Sequence, residues 1–235
     1  CAFAVCSYWS IITVQMKNLG FPFSQQQLFT LTAIAGLTGA TLRIPNSFLI
    51  AIAGGRNVVA LSTAFLLIPA IGAGIALQDK NTSFDTFVIL AALSGFGGGN
   101  FASSMSNISP FFPKRMQGTA LGINAGVGNL GVSLMQILLP WVMTFALFGA
   151  MGGEGFPLPA AIGGKAAGTL VWIQNCGLAL APVLFVLAIA AWAGMNNLPL
   201  QQIGSLPVAI AKIIGLHLLG FAGAAIGLWL LLVQK

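Results

Sequence analysis

One arginine stands within an apolar span of this chain, and no acid shares that span. Arg43 falls near the middle of Gly36-Leu-Thr-Gly-Ala-Thr-Leu-Arg43-Ile-Pro-Asn-Ser-Phe48, while Asp79, Asp85 and Glu154 all lie in polar connectors. An ionised side chain at the bilayer midplane costs at least ~2.5–3.5 kcal/mol on insertion scales, so a fixed cation there points to function. Its natural partner is an anion. A buried ion pair is the competing reading, and the missing counter-charge favours the anion site.

Helical spacing adds polar groups around that cation, because residues three, four and seven apart share a face. Thr32, Gly36, Gly39, Asn46 and Ser47 fall with Arg43 on a small-and-polar stripe that predicts a cavity wall. In a later span Gly122, Gly126, Asn129, Ser133 and Gln136 form a second such face, with Asn124, Gly128 and Gly131 opposite. Asn129 offers two N–H donors to a small oxyanion and serves equally well as glue between helices. Phe101, beside Asn100, Ser103, Ser104 and Asn107, has two uses on the same terms: to stack on a planar ion or to fill a core.

Catalysis finds no constellation. His217 is the single histidine, with no second histidine for haem ligation and no acid in its span, so it reads as packed or hydrogen-bonded. Cys1, Cys6 and Cys176 lie in apolar runs without metal-ligand spacing and read as buried small hydrophobes. The glycine runs lack the Lys-Ser/Thr ending of a phosphate loop. No enzyme activity, cofactor or metal is expected.

The elements that must position these residues are membrane spans. The 235 residues are 57% apolar and 5% charged, with a mean hydropathy of +0.97, where a globular domain is about 25% charged. The nine basic residues are scattered, with only Lys114 and Arg115 adjacent and no basic patch with interleaved aromatics, which excludes nucleic acid as a partner. A spanning helix needs about 20 mostly apolar residues, and Gly, Pro, Asn and the few charges mark the connectors. Spans are predicted near 1–16, 28–51, 57–77, 86–109, 117–149, 168–193 and 208–233, with Gly149 to Lys165 as a solvent-exposed loop and Leu139 facing lipid. Arg56, Lys114, Arg115 and Lys212 on one side balance Lys17, Lys80, Lys165 and Lys235 on the other, so the positive-inside rule does not orient the chain. Because it opens at Cys1 within an apolar run, without a signal-peptide pattern, the sequence is expected to be part of something longer.

Three runs carry a resemblance: Gly95-Phe-Gly-Gly-Gly-Asn-Phe-Ala-Ser-Ser-Met-Ser-Asn-Ile-Ser109, Phe111-Phe-Pro-Lys114, and Gly118-Thr-Ala-Leu-Gly-Ile-Asn-Ala-Gly-Val-Gly-Asn-Leu-Gly131. Together with Thr41 to Phe48 and Gly54-Gly-Arg56, they closely resemble the NarK-type nitrate/nitrite porters of the major facilitator superfamily. The resemblance runs from Cys1 to about Pro199. It implies an all-α polytopic membrane protein of the bacterial cytoplasmic (inner) membrane that moves nitrate and nitrite by alternating access. Arg43 would bind the anion, Asn129 would hydrogen-bond it, and Phe101 and Phe3 would pack on its faces. Gly122, Gly126, Gly128 and Gly131 would belong to the signature helix and its packing.

The sequence also departs from the family. Ala125 stands where many members have glycine, and after Pro199 comes the span 208–233, similar to the extra helices of fourteen-span members. The expected organisation is an N-terminal bundle at 1–193, a connector at 194–207 and an additional span at 208–235. The partners implied are the lipid bilayer, nitrate and nitrite, and a C-terminal bundle of the same protein that holds the other half of the site. Another small-anion porter, or a non-transporting membrane subunit, remains as an alternative. Exchange and proton-coupled uptake both occur in the family.

Overall fold

The structure, a computed structural model, describes residues 2–162, 164–198 and 204–233. Cys1, Lys235 and part of the expected 194–207 connector lie outside them. The chain is an all-α polytopic membrane protein. Among the described residues six helical stretches are long and apolar enough to cross a membrane: Gln25–Ala53, Gly55–Ala76, Phe84–Phe111, Lys114–Val142, Asn175–Gly194 and Leu206–Leu230.

The leading helix consists of α1 (Ala2–Ser7) and α2 (Trp9–Asn18). It is interrupted at Tyr8, whose hydroxyl donates to the Pro69 carbonyl at 3.1 Å, while Trp9 Nε1 donates to Ser94 Oγ at 2.9 Å. Next comes α3 (Gln25–Ala53), which opens with a capping box: Ser24 Oγ accepts from the Gln27 N–H at 3.2 Å and Gln27 Oε1 from the Ser24 N–H at 2.9 Å. That exchange satisfies two backbone donors that the helix itself leaves unpaired. Gly54 ends α3 at φ +86°, and a side chain on Gly55 would collide with Asn107. Two glycines are therefore needed at this turn, one for its backbone and one for its space.

From there α4 (Gly55–Phe65) continues into α5 (Leu67–Ala76), and α6 (Phe84–Ser94) into α7 (Phe96–Ile108). The core gathers Trp9, Ile12, Met16, Leu31, Leu66, Leu77 and Phe87 from these helices. The glycine run before Phe101 lies against α3: a Cβ on Gly98 would stand 2.7 Å from Gly39 Cα. Close backbone approach of this kind is what small residues permit between helices in lipid.

Beyond it, α8 (Lys114–Val142) is the least buried of the six spans. Leu139 does not face lipid as expected, being 1% exposed within the core.

The segment after α8 also corrects the reading from hydropathy. The fifth span stops at Val142 and the sixth starts at Asn175, where apolar runs had predicted 149 and 168. Phe148 turns the chain at φ +68°, and β1 (Phe156–Pro157) pairs antiparallel with β2 (Leu170–Val171). Most described residues from Gly149 to Lys165 are exposed, as expected, with Gly152 and Leu158 turned inward, while Val171 and Ile173 beyond that stretch are buried. Asn175 Nδ2 donates to the Val142 and Phe145 carbonyls at 3.1 and 2.8 Å, and Gln174 Nε2 to those of Gly152 and Glu154 at 2.6 and 3.0 Å. Side-chain amides thus tie the end of α8 and the turn beyond it to the start of the sixth span, and the Val142 and Phe145 carbonyls also accept from the Phe145 and Leu147 N–H groups at 3.3 and 2.9 Å.

The chain continues through α9 (Asn175–Leu178) and α10 (Leu180–Gly194) to α11 (Leu206–Val233). α11 lies along α3. A Cβ on Gly220 would stand 2.7 Å from Leu42 Cδ2 and 3.1 Å from Pro45 Cγ, so glycine there brings α11 onto the site helix.

Candidate functional site

Arg43 sits inside the 29-residue span of α3, about 15 Å along the helix from Ala53 and about 27 Å from Gln25. Its guanidinium is flanked by two rings: Cζ lies 5.8 Å from the centroid of Phe3 and 5.4 Å from that of Phe101. The rings themselves are 6.3 Å apart and inclined at 46°. Both distances fall within cation–π range, so the aromatic faces hold the cation while its N–H groups remain for another acceptor. Arg43 is exposed, and among the described residues no carboxylate pairs with it.

Three elements build this arrangement. α1 supplies Phe3, α3 supplies Arg43 and α7 supplies Phe101. Behind Phe101 stands α8, where a Cβ on Gly128 would lie 3.6 Å from the ring. Asn124 Nδ2 anchors the same stretch of α8, donating to Ser104 Oγ at 2.8 Å. A cavity of about 250 Å³ opens between Phe3, Asn100, Phe101, Asn124 and Gly128. Neither Arg43 nor Asn129 lines it.

The faces of α8 divide as periodicity predicts. Gly122, Gly126, Asn129, Ser133 and Gln136 are exposed, while Asn124, Gly128 and Gly131 turn partly inward. Side chains added at Gly122, Gly126 or Gly131 would meet nothing within 4 Å. Among the described residues, then, these glycines bring no helix close, and the only signature glycine in contact is Gly128, against Phe101. No hydrogen bond within the described chain joins Asn129 to Arg43.

The stripe on α3 is not one wall. Gly39 and Asn46 are buried against α7, whereas Gly36, Arg43 and Ser47 are exposed. Asn46 reaches inward because Gly99 leaves it room, a Cβ there standing 2.6 Å from its Nδ2. Cys6 is only half-buried and donates to the Ala35 carbonyl at 3.3 Å, whereas Cys176 is fully buried as expected.

No family model matches the chain. It is 47% identical over 197 residues to the nitrate/nitrite transporter NarU of Escherichia coli K12, covering 84% of this chain and 41% of that protein. To NarU of Salmonella typhimurium it is 45% identical over 211 residues, 90% of this chain and 43% of the relative. The probable nitrate/nitrite antiporter NarK2 of Thermus thermophilus is 43% identical over 195 residues, 82% and 43% of the two chains. The chain therefore spans less than half the length of these relatives. Similarity at this level, over most of its residues and to three proteins of one kind, leads to one assignment: the chain belongs to the NarK-type nitrate/nitrite porter family.

Proposed function

We propose that this chain supplies one half of the anion site of a nitrate/nitrite transporter in the bacterial inner membrane. The observation that carries the reading is Arg43 inside the α3 span, flanked by Phe3 and Phe101 and turned outward. A planar guanidinium matches a planar oxyanion, because two parallel N–H groups can each meet an oxygen. The aromatic rings on either side would then cover the faces of the bound ion. Asn129, one residue beyond the glycine that touches Phe101, would add a neutral donor once the anion is in place.

A site of this kind needs an opposing wall. The exposed face of α8 and the exposed side of Arg43 would meet a second bundle supplied by the rest of the same polypeptide, and alternating access would proceed by rocking one bundle against the other. The reading makes the protein a carrier without enzyme activity.

Its test is selectivity. Full-length protein in vesicles loaded with nitrite should take up labelled nitrate saturably, with nitrite competing and sulfate and phosphate failing to compete. Equal competition by the tetrahedral anions would contradict recognition by a planar clamp.

A further inference from the structure

His217 lies on α11, which carries none of Phe3, Arg43 and Phe101, yet it is 3% exposed and is linked to Asn46 on α3 and to Phe96 on α7. Its Nδ1 stands 2.8 Å from the Ile213 carbonyl oxygen. A carbonyl can only accept, so Nδ1 carries the proton and Nε2 is left as an acceptor. Nε2 receives a hydrogen bond from Asn46 Nδ2 at 3.0 Å. The second Asn46 amide hydrogen goes to the Leu42 carbonyl at 2.8 Å, and its Oδ1 accepts from the Ser103 hydroxyl. Every hydrogen of the Asn46 amide is thereby used and its orientation is fixed.

The placement of this chain of bonds gives it consequence. Asn46 follows Arg43 on α3 by about one helical turn, and Ser103 is two residues beyond Phe101 on α7. Phe96 stacks on the imidazole at 4.3 Å and 15°, which holds the ring in the plane that aims Nε2 at Asn46.

We propose that His217 is a positioning residue for the anion site: as an acceptor it orients Asn46, and through Asn46 and Ser103 it fixes the register of α3 against α7 that places Arg43 beside Phe101. The inference rests on the reading of Arg43 as the anion anchor. Without the acceptor, one Asn46 N–H is buried unsatisfied, and the amide gains by turning away from Ser103. A histidine that only filled space would be replaced by phenylalanine without effect on substrate recognition.

The experiment compares nitrate KM and Vmax per folded transporter in vesicles for full-length wild type, His217→Phe, His217→Gln and Ser103→Ala, with Arg43→Ala alongside. Glutamine can return an acceptor oxygen to the position of Nε2; phenylalanine keeps only the stacked ring. Loss of a buried partner predicts a KM raised at least about fivefold in His217→Phe and in Ser103→Ala, with His217→Gln within about twofold of wild type. Wild-type KM in His217→Phe, or equal impairment in the Phe and Gln variants, would overturn the proposal. Should His217→Phe fail to fold, Ser103→Ala decides, and a wild-type KM there would overturn it. Wild-type KM in Arg43→Ala would instead overturn the anion-site reading on which the proposal stands.

Discussion

At the scale of single residues, the guanidinium shape and its two rings set the expected behaviour of Arg43. Lysine keeps the charge and loses the planar fork, so Arg43→Lys should raise nitrate KM by roughly ten- to a hundredfold, the worth of one charge-assisted hydrogen bond. Membrane insertion should be unchanged, and uptake assays on equal amounts of full-length protein measure the difference. Arg43 was legible in the sequence because a cation without a counter-charge is rare in a span. Phe3 was not legible from pattern, since a phenylalanine in an apolar run looks like core until its ring is found 5.8 Å from the guanidinium. His217 read only as a satisfied histidine. Its link to Asn46 joins residues 171 positions apart, which no local periodicity encodes.

At the scale of elements, two glycines on neighbouring helices should respond in opposite ways. Valine at Gly98 would drive a Cβ to 2.7 Å from Gly39 Cα, and backbone there cannot yield as a side-chain tip would. Gly98→Val should cost ~1–3 kcal/mol, read as a lower thermal midpoint in detergent. Gly126 has open space around it, so Gly126→Leu should fold normally. Its transport should still fall below that of Ile137→Ala, altered at a position 74% exposed on the same helix, because the proposed second bundle closes on the Gly126 face. Normal transport by Gly126→Leu would remove close approach along that face from the mechanism. The central parts of the spans were legible from hydropathy. Their ends after α8 were not, because an apolar run reads alike in a helix and in a packed connector, and the distinction rests on distant partners such as Asn175 and Gln174.

At the scale of the whole molecule, the acids and the proposed second bundle make the remaining tests. Asp79, Asp85 and Glu154 are all exposed in connectors or at a helix start. Replacing them with Asn or Gln should leave transport and its pH profile nearly unchanged, as measured by uptake across a pH series. Residues 1–235 alone should insert and fail to transport, because the Arg43 side of α3 and the Asn129 face of α8 stay uncovered. The central claim is that Arg43 anchors the anion. Calorimetric titration of nitrate into purified full-length protein tests it most directly: saturable binding is expected in the wild type and none in Arg43→Ala, whereas unchanged nitrate affinity in Arg43→Ala would contradict it.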